Sequence, residues 1–496
     1  MVKTTSSSFF FYDLETSGFN PREARVLQFA GRRTTLDLEP IGQPLSRYIA
    51  LTPDIIPDPT AIIVNGITPQ ITLDKGISEF DFTAIFNLDI ATPGTIFVGY
   101  NNIRFDDEFI RFMLYRNFYD PYQWQWKNSR SRWDLLDVVR MTRALRPANI
   151  SWPFDTKGQS SNRLELLAAV NNLEHLHAHE ALSDVDATIA LARLIKTNQP
   201  KLFGYLLSVR DKKAVEKVVR SGQPFLYTSG KYKSEFEKTT IVQSLGPHPS
   251  HQGDLVYDLR FDPSPLARLE APELADLWRW QPDKQSRQLP VKTLQFNRCP
   301  AIAPLSVLDD ASQTRLKLDL DEINHNLANL KKIKHWPERL HQALAILDQQ
   351  RQYQLLTSDN EVDSQLYDGF ISDNDRDKLS RIRRTPPSGL KAGDIFADQR
   401  LNQLLPLYKA RNFPSSLTPD EQQNWQAYLR QRLSGGGASG RLNNFKVQIK
   451  QAGQQKGLTT PQKHILKDLE DYRLRVQSIV ADESESKTRT PKRSSS

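Results

Sequence analysis

The sequence predicts a chain that opens with an α/β domain, continues into a small β-containing domain and ends in a helical region. Three observations carry this reading. Over the first 200 residues, short apolar runs alternate with segments of helical periodicity, the pattern of α/β domains. From about 224 to 310, short β-rich runs lie between Gly and Pro turns. From about 315 to 480 the chain is dominated by long Leu-, Gln- and Arg-rich segments.

The individual elements follow in order. Phe9 to Tyr12 reads as a buried strand. Pro93-Gly94 signals a turn, and Thr95 to Tyr100 after it reads as a second buried strand. Asp107 to Tyr115, Leu164 to Asn171 and Val185 to Lys196 carry apolar residues at helical spacing. Asn198-Gln199-Pro200 closes this region. Thr239 to Val242 and Leu255 to Tyr257 are strand-like runs of the second region. Ser434 to Gly440 interrupts the C-terminal helices and reads as a flexible loop, and 481–496, without apolar periodicity, reads as a disordered tail.

Composition removes several classes. At 496 residues, with 38% hydrophobic and 25% charged residues, the chain can bury ample cores and is not collagen-like, disulfide-stapled or mainly disordered. The single cysteine, Cys299, excludes an intramolecular disulfide and a cysteine-based zinc site, and makes the reducing cytoplasm the expected compartment. No apolar run is long enough to span a membrane. Phe9 to Tyr12 is too short for a signal-peptide core. A net charge of +8 permits a polyanionic partner without proving one.

Chemistry concentrates in three places. Asp13-Leu14-Glu15 follows the first strand, and residues two apart on a strand share a face, so two carboxylates are presented together. Asn102-Ile103-Arg104-Phe105-Asp106 follows the second strand and puts Asp106 and Asp107 at a helix start, where they would also favour the positive end of the helix dipole. His179-Glu180-Ala181-Leu182-Ser183-Asp184 places Asp184 in a first helical turn, with Ser183 as the expected N-cap and His179 on the loop before it. His175 and His177 are equally available as the important ring. Together the motifs supply four carboxylates and a histidine. Hard oxygen ligands without cysteine suit Mg²⁺ or Mn²⁺ rather than zinc.

The order D-x-E, N-x-x-F-D, H-x-x-x-x-D resembles the DEDD exonuclease superfamily in its histidine-containing branch. Gly99 to Glu108, Tyr115 to Tyr122 and Ser131 to Asp137 are similar to the bacterial exodeoxyribonuclease I family, as are Gln365 to Phe370 and Ala410 to Pro414 downstream. The resemblance implies an α/β ribonuclease H-like 3′–5′ exonuclease domain over 8–198, an SH3-like β-containing domain over 202–352 and a helical C-terminal domain over 355–480. It carries Asp13, Glu15, Asp106 and Asp184 over as metal ligands and His179 as general base. The implied reaction is 3′→5′ hydrolysis of single-stranded DNA to 5′-mononucleotides in DNA repair and recombination. It uses two Mg²⁺ ions (or Mn²⁺) about 3.5–4 Å apart.

A substrate signal accompanies the acids. Between Arg111 and Ile150 stand eight Lys/Arg, three acids and eight aromatics. Basic groups that follow phosphates and rings that stack bases suit single-stranded nucleic acid, although rings such as Trp133 also read as core. By resemblance, Arg111, Tyr122, Trp126, Arg140 and Arg146 match DNA-contacting positions, Arg163 a substrate-binding position, and Glu15 contacts substrate as well as metal. The resemblance also implies a monomer that binds the acidic C-terminal tail of single-strand-binding protein. Two alternatives share the sequence signals: an RNA-trimming exonuclease, which the 2′-hydroxyl would separate, and a non-catalytic single-strand-binding scaffold.

Overall fold

The computed structural model describes residues 7–174, 180–279, 288–356, 361–435 and 440–481. Most of the Gly-rich segment and the tail beyond Ala481 therefore lie outside the described residues. So does His179, with His175 and His177.

The first domain is built on a five-stranded sheet in the order β3-β2-β1-β4-β5. Its strands are β1 Ser8–Thr16, β2 Val26–Thr34, β3 Pro40–Tyr48, β4 Thr95–Gly99 and β5 Ser131–Asp134. β1 runs antiparallel to β2 and parallel to β4, and β4 runs parallel to β5. The β2–β3 hairpin was not among the expected elements. The sequence also predicted that β1 ends before Asp13; instead the strand continues through Glu15 to Thr16, because β2 supplies a ladder partner for each residue.

Strand periodicity decides what β1 presents on each side. Phe9 and Phe11 face one core, with Trp133, Val139 and Ile189. Phe10, Tyr12 and Leu14 face the other, with Phe29, Phe86, Phe97 and Trp124. Burying a side chain of this size stabilises by about 1.5–3 kcal/mol, so this alternation locks the strand's register. The helix Ala181–Asn198 covers the first face with Val185, Ile189 and Ala192. It begins at Ala181 behind Glu180, so Ser183 lies inside it and is not its N-cap. Asp184 nevertheless falls in the first turn.

The second sheet is antiparallel throughout, in the order β10-β6-β7-β8-β9. Its strands are β6 Phe225–Thr228, β7 Thr239–Pro247, β8 Gly253–Asp258, β9 Val291–Gln295 and β10 Ala301–Pro304. The helices Ala271–Trp278 and Trp336–Leu356 pack on it through Leu274, Ala275, Trp336 and Leu340, in a core continuous with that of the first domain.

Among the described residues, the C-terminal helices bury apolar side chains of the first domain in two clusters. Leu429, Leu433, Phe445 and Leu469 bury Leu27, Ile55 and Ile62. Leu379, Leu404 and Tyr408 bury Phe112, Tyr115 and Phe118. Among the described residues no helix is long and apolar enough to cross a membrane.

One glycine is required by close approach. A Cβ on Gly99, at the end of β4, would stand 2.6 Å from Cβ of Asn102 and 3.2 Å from the Tyr12 carbonyl. Gly99→Ala should therefore destabilise the chain by about 1–3 kcal/mol, the usual result of overpacking, read as a lowered thermal midpoint.

Candidate active site

The site is assembled by the pleat of β1. Asp13 and Glu15 alternate with Tyr12 and Leu14 and so point to the side of Phe9 and Phe11, the side covered by the helix that carries Asp184. One carboxylate oxygen from each of Asp13, Glu15 and Asp184 lies within 4.8 Å of the others, and all three residues are half-buried.

Asp106 joins them from β4. It opens the helix Asp106–Arg116, and its Oδ1 accepts a hydrogen bond from the Leu14 backbone N–H at 3.2 Å. Leu14 stands between Asp13 and Glu15, so this bond ties the two acidic segments together. The connection from β4 needs a left-handed residue, which Asn101 supplies at φ 68°. Asp134 Oδ1 accepts the Asn101 N–H at 2.9 Å and caps the next helix through Leu136 N at 3.0 Å.

Behind the cluster, Asp107 is fully buried. It accepts a hydrogen bond from the Tyr12 hydroxyl and pairs with Arg132. Arg132 also donates to the Asn297 carbonyl at 2.6 Å, which links this support to the second domain. Sequence reasoning missed Asp107 as a support and Arg132 as its partner. The available signal was an arginine inside a buried strand, a residue almost never found there unpaired.

The electrostatics are those of anions held close in poor solvent. Burial pushes the Asp13 carboxyl well above the usual carboxylate range, and Asp106 and Asp184 push it further. Burial, then Asp13 and Asp184, raise Glu15 from 4.5 to about 9. Burial and Asp107 raise Asp106. The charges acting on Asp13 and Glu15 are all negative. A divalent cation among these oxygens would remove the repulsion that raises them, and an all-carboxylate donor set fits Mg²⁺ or Mn²⁺. The donor chemistry therefore suits a hard metal ion.

The expected substrate residues occupy varied environments. Trp126 is 62% exposed. Tyr122 is partly buried, with the Arg111 guanidinium 6.0 Å from its ring centre. Arg111 is buried and engaged by Glu108, Gln125 and the Tyr367 hydroxyl. Arg140 pairs with Asp137 at 2.6 Å. Arg146 bonds Asp309 at 3.1 Å and the Val307 carbonyl at 2.7 Å, bridging the first two domains. Arg163 is exposed beside Glu165. Trp133 is core, packed on Phe9 and Phe203.

Comparison with known proteins gives three consecutive family matches: Exonuclease over residues 10–192, Exonuclease I SH3-like domain over 210–345 and Exonuclease I C-terminal domain over 360–476. The chain is 41% identical over 434 residues to exodeoxyribonuclease I of Haemophilus influenzae, covering 86% of this chain and 90% of that one. It is 39% identical over 456 residues to that of Escherichia coli, covering 91% and 95%. Among solved structures, an exonuclease I from Methylocaldum szegediense is 40% identical with a TM-score of 0.88, covering 96% of this chain and all of that one. E. coli exonuclease I in complex with a dA16 oligonucleotide is 36% identical, also at 0.88, covering 95% and 100%. An ExoI/SSB-Ct complex matches at 0.87, with 36% identity and the same coverage.

The raised carboxyls set a pH dependence. Metal-free folded protein holds a proton on Glu15 up to about pH 9, whereas the unfolded chain releases it near 4.5. The native state therefore binds the extra proton between these values, and metal-free stability falls as pH rises through that window. Glu15→Gln removes this penalty. In EDTA at pH 8 its thermal midpoint should exceed that of the parent by roughly 2 °C, and the difference should close by pH 4. Calorimetry in buffers of different ionisation enthalpy should show protons released when Mg²⁺ binds the parent.

Proposed function

The chain belongs to the exodeoxyribonuclease I family, and from that premise we propose that Asp13, Glu15, Asp106 and Asp184 form the centre of a 3′→5′ exonuclease acting on single-stranded DNA. The observation that carries this is the convergence of Asp13, Glu15 and Asp184 within 4.8 Å beside Asp106.

In this reading the four carboxylates would hold two Mg²⁺ ions, which would supply Lewis acidity to the phosphoryl oxygens and lower the pKa of bound water. The chain's own groups do the rest. His179, five residues before Asp184 in the sequence, takes a proton from the attacking water as general base, the role an imidazole serves most often. The water oxygen bonds to phosphorus, the P–O3′ bond breaks, and the shortened strand leaves, its O3′ taking a proton from solvent to become a 3′-hydroxyl. The product is a 5′-mononucleotide. Asp106 does double duty, as an acid of the centre and as the acceptor that fixes Leu14.

Substrate positioning falls to the surroundings. Trp126 offers a ring to an unpaired base. Arg163 offers an exposed cation to a phosphate, and Tyr122 with Arg111 offers a ring and a guanidinium to the strand. Arg140 and Arg146 add positive potential through their partly paired guanidinium groups. The same family premise extends to a monomer in the reducing cytoplasm, to service in repair and recombination, and to an acidic SSB tail as partner. The buried Cys299 thiol, pushed up to about 12 by desolvation, is inert in that setting.

Asp13→Ala should abolish cleavage of a 5′-labelled single-stranded oligonucleotide in Mg²⁺ while leaving its binding in EDTA largely intact; parallel loss of both would remove Asp13 from the metal set. Offered single-stranded DNA, duplex DNA and single-stranded RNA, the parent should shorten the first from its 3′ end, and preferential trimming of RNA would move the substrate assignment. Trp126→Ala should weaken binding of single-stranded DNA by about 1–3 kcal/mol, measured by fluorescence anisotropy.

A further inference from the structure

We propose that Asp363, on the C-terminal domain, is a positioning residue that sets the aim of Glu15 through the loop Ser17–Arg25. The inference rests on the reading of Glu15 as a metal ligand.

The ladder of β1 does not itself hold Glu15 in place beyond its own rung. Glu15 pairs with Gln28 but Thr16 pairs with Val26, so the register slips by one residue directly after Glu15. A bulge re-aims the side chains beside it. From within the domain Asn65 Nδ2 donates to the Thr16 carbonyl at 3.0 Å and bonds Glu15, and Asp58 N donates to the Ser17 carbonyl at 2.7 Å; the loop that follows adds a hold from outside it. Ser17 N donates to the Arg25 carbonyl at 2.8 Å, and Arg25 N donates back to Ser17 Oγ at 2.9 Å. The loop is thus closed at its neck by Arg25.

Arg25 is in turn held from outside its own domain. Its guanidinium is buried; it donates to the carbonyls of Glu23 at 3.0 Å and Ala24 at 3.2 Å, and to Asp363 Oδ2 at 2.7 Å. Asp363 is fully buried and clamped by Arg411 at 2.9 and 2.7 Å. A second tether lies next to it, where Arg22 donates to the Ser364 carbonyl at 2.7 Å. Two residues of the C-terminal domain therefore grip the loop that begins two residues after Glu15.

The test compares Asp363→Asn, Asp363→Glu and Arg22→Ala with the parent. Mn²⁺ binding is read by calorimetry, and single-stranded DNA binding in EDTA by anisotropy. Asp363→Asn should weaken Mn²⁺ binding about tenfold, as loss of an outer support to a metal ligand does, with DNA affinity in EDTA close to that of the parent. Asp363→Glu, which keeps the charge, should recover part of the loss, and Arg22→Ala should show a smaller loss of the same sign. Folded Asp363→Asn with parental Mn²⁺ affinity overturns the proposal. If Asp363→Asn does not fold, Arg22→Ala decides, and parental Mn²⁺ affinity there overturns it equally. An Asp13→Ala control separates the two layers: Mn²⁺ binding in the parent that survives Asp13→Ala would remove the metal-ligand reading, and this inference with it.

Discussion

Mutual repulsion among half-buried carboxylates held close together is the constraint to which the rest of this structure answers. Asp13, Glu15 and Asp184 are held within 4.8 Å, with Asp106 and Asp107 close behind. Left to themselves such groups would separate or take up protons. They are kept together by backbone rather than by opposite charge. The strand's pleat fixes Asp13 and Glu15, a helix packed through Val185 and Ile189 fixes Asp184, and a main-chain N–H fixes Asp106. A cluster built this way is poised for a cation, because the folded chain has already met the cost of bringing the anions together.

The second layer uses charge in the opposite manner. Around the site, buried acids are matched by buried arginines: Asp107 with Arg132, Asp54 with Arg411 and Arg432, and Asp363 with Arg25 and Arg411. Burial alone would push the Asp363 carboxyl up, but Arg411 and Arg25 hold it far below the usual range. Pairs like these contribute little net stability compared with apolar packing, but losing one partner is strongly destabilising, so they specify geometry more than they strengthen it. Each of the pairs named joins the catalytic segment to an accessory domain or supports a residue that does: Arg132 reaches Asn297, Arg25 and Arg411 meet at Asp363, and Arg411 also holds Asp54.

Much of the site was legible in the sequence because its chemistry is local. D-x-E on an apolar strand and an acid pair opening a helix are patterns of spacing two and one, and apolar periodicity placed β1, β4 and the helices that carry them. What was not legible is what depends on partners distant in the chain. The β2–β3 hairpin escaped because β3, Pro40–Tyr48, is largely exposed and lacks an apolar stripe. The start of the helix at Ala181 escaped because packing of Ala181 and Val185 outweighed the capping preference of Ser183. Arg111 read as one cation of a basic stretch that matches a DNA-contacting position, yet Tyr367, 256 residues away, and Gln125 engage it. Asp363 carried no motif at all; its meaning exists only beside Arg25.

The span between those two residues bears on how the protein is made. Arg25 and Asp363 are 338 positions apart, and at synthesis rates of about 5–20 residues per second the second follows the first by roughly 20–70 s. During that interval the nascent chain carries every acid of the site while the loop Ser17–Arg25 lacks its partner Asp363. A chain broken off before residue 363 would stay in that state. With the positioning role proposed for Asp363, the centre would reach its final geometry only once the C-terminal domain has been made.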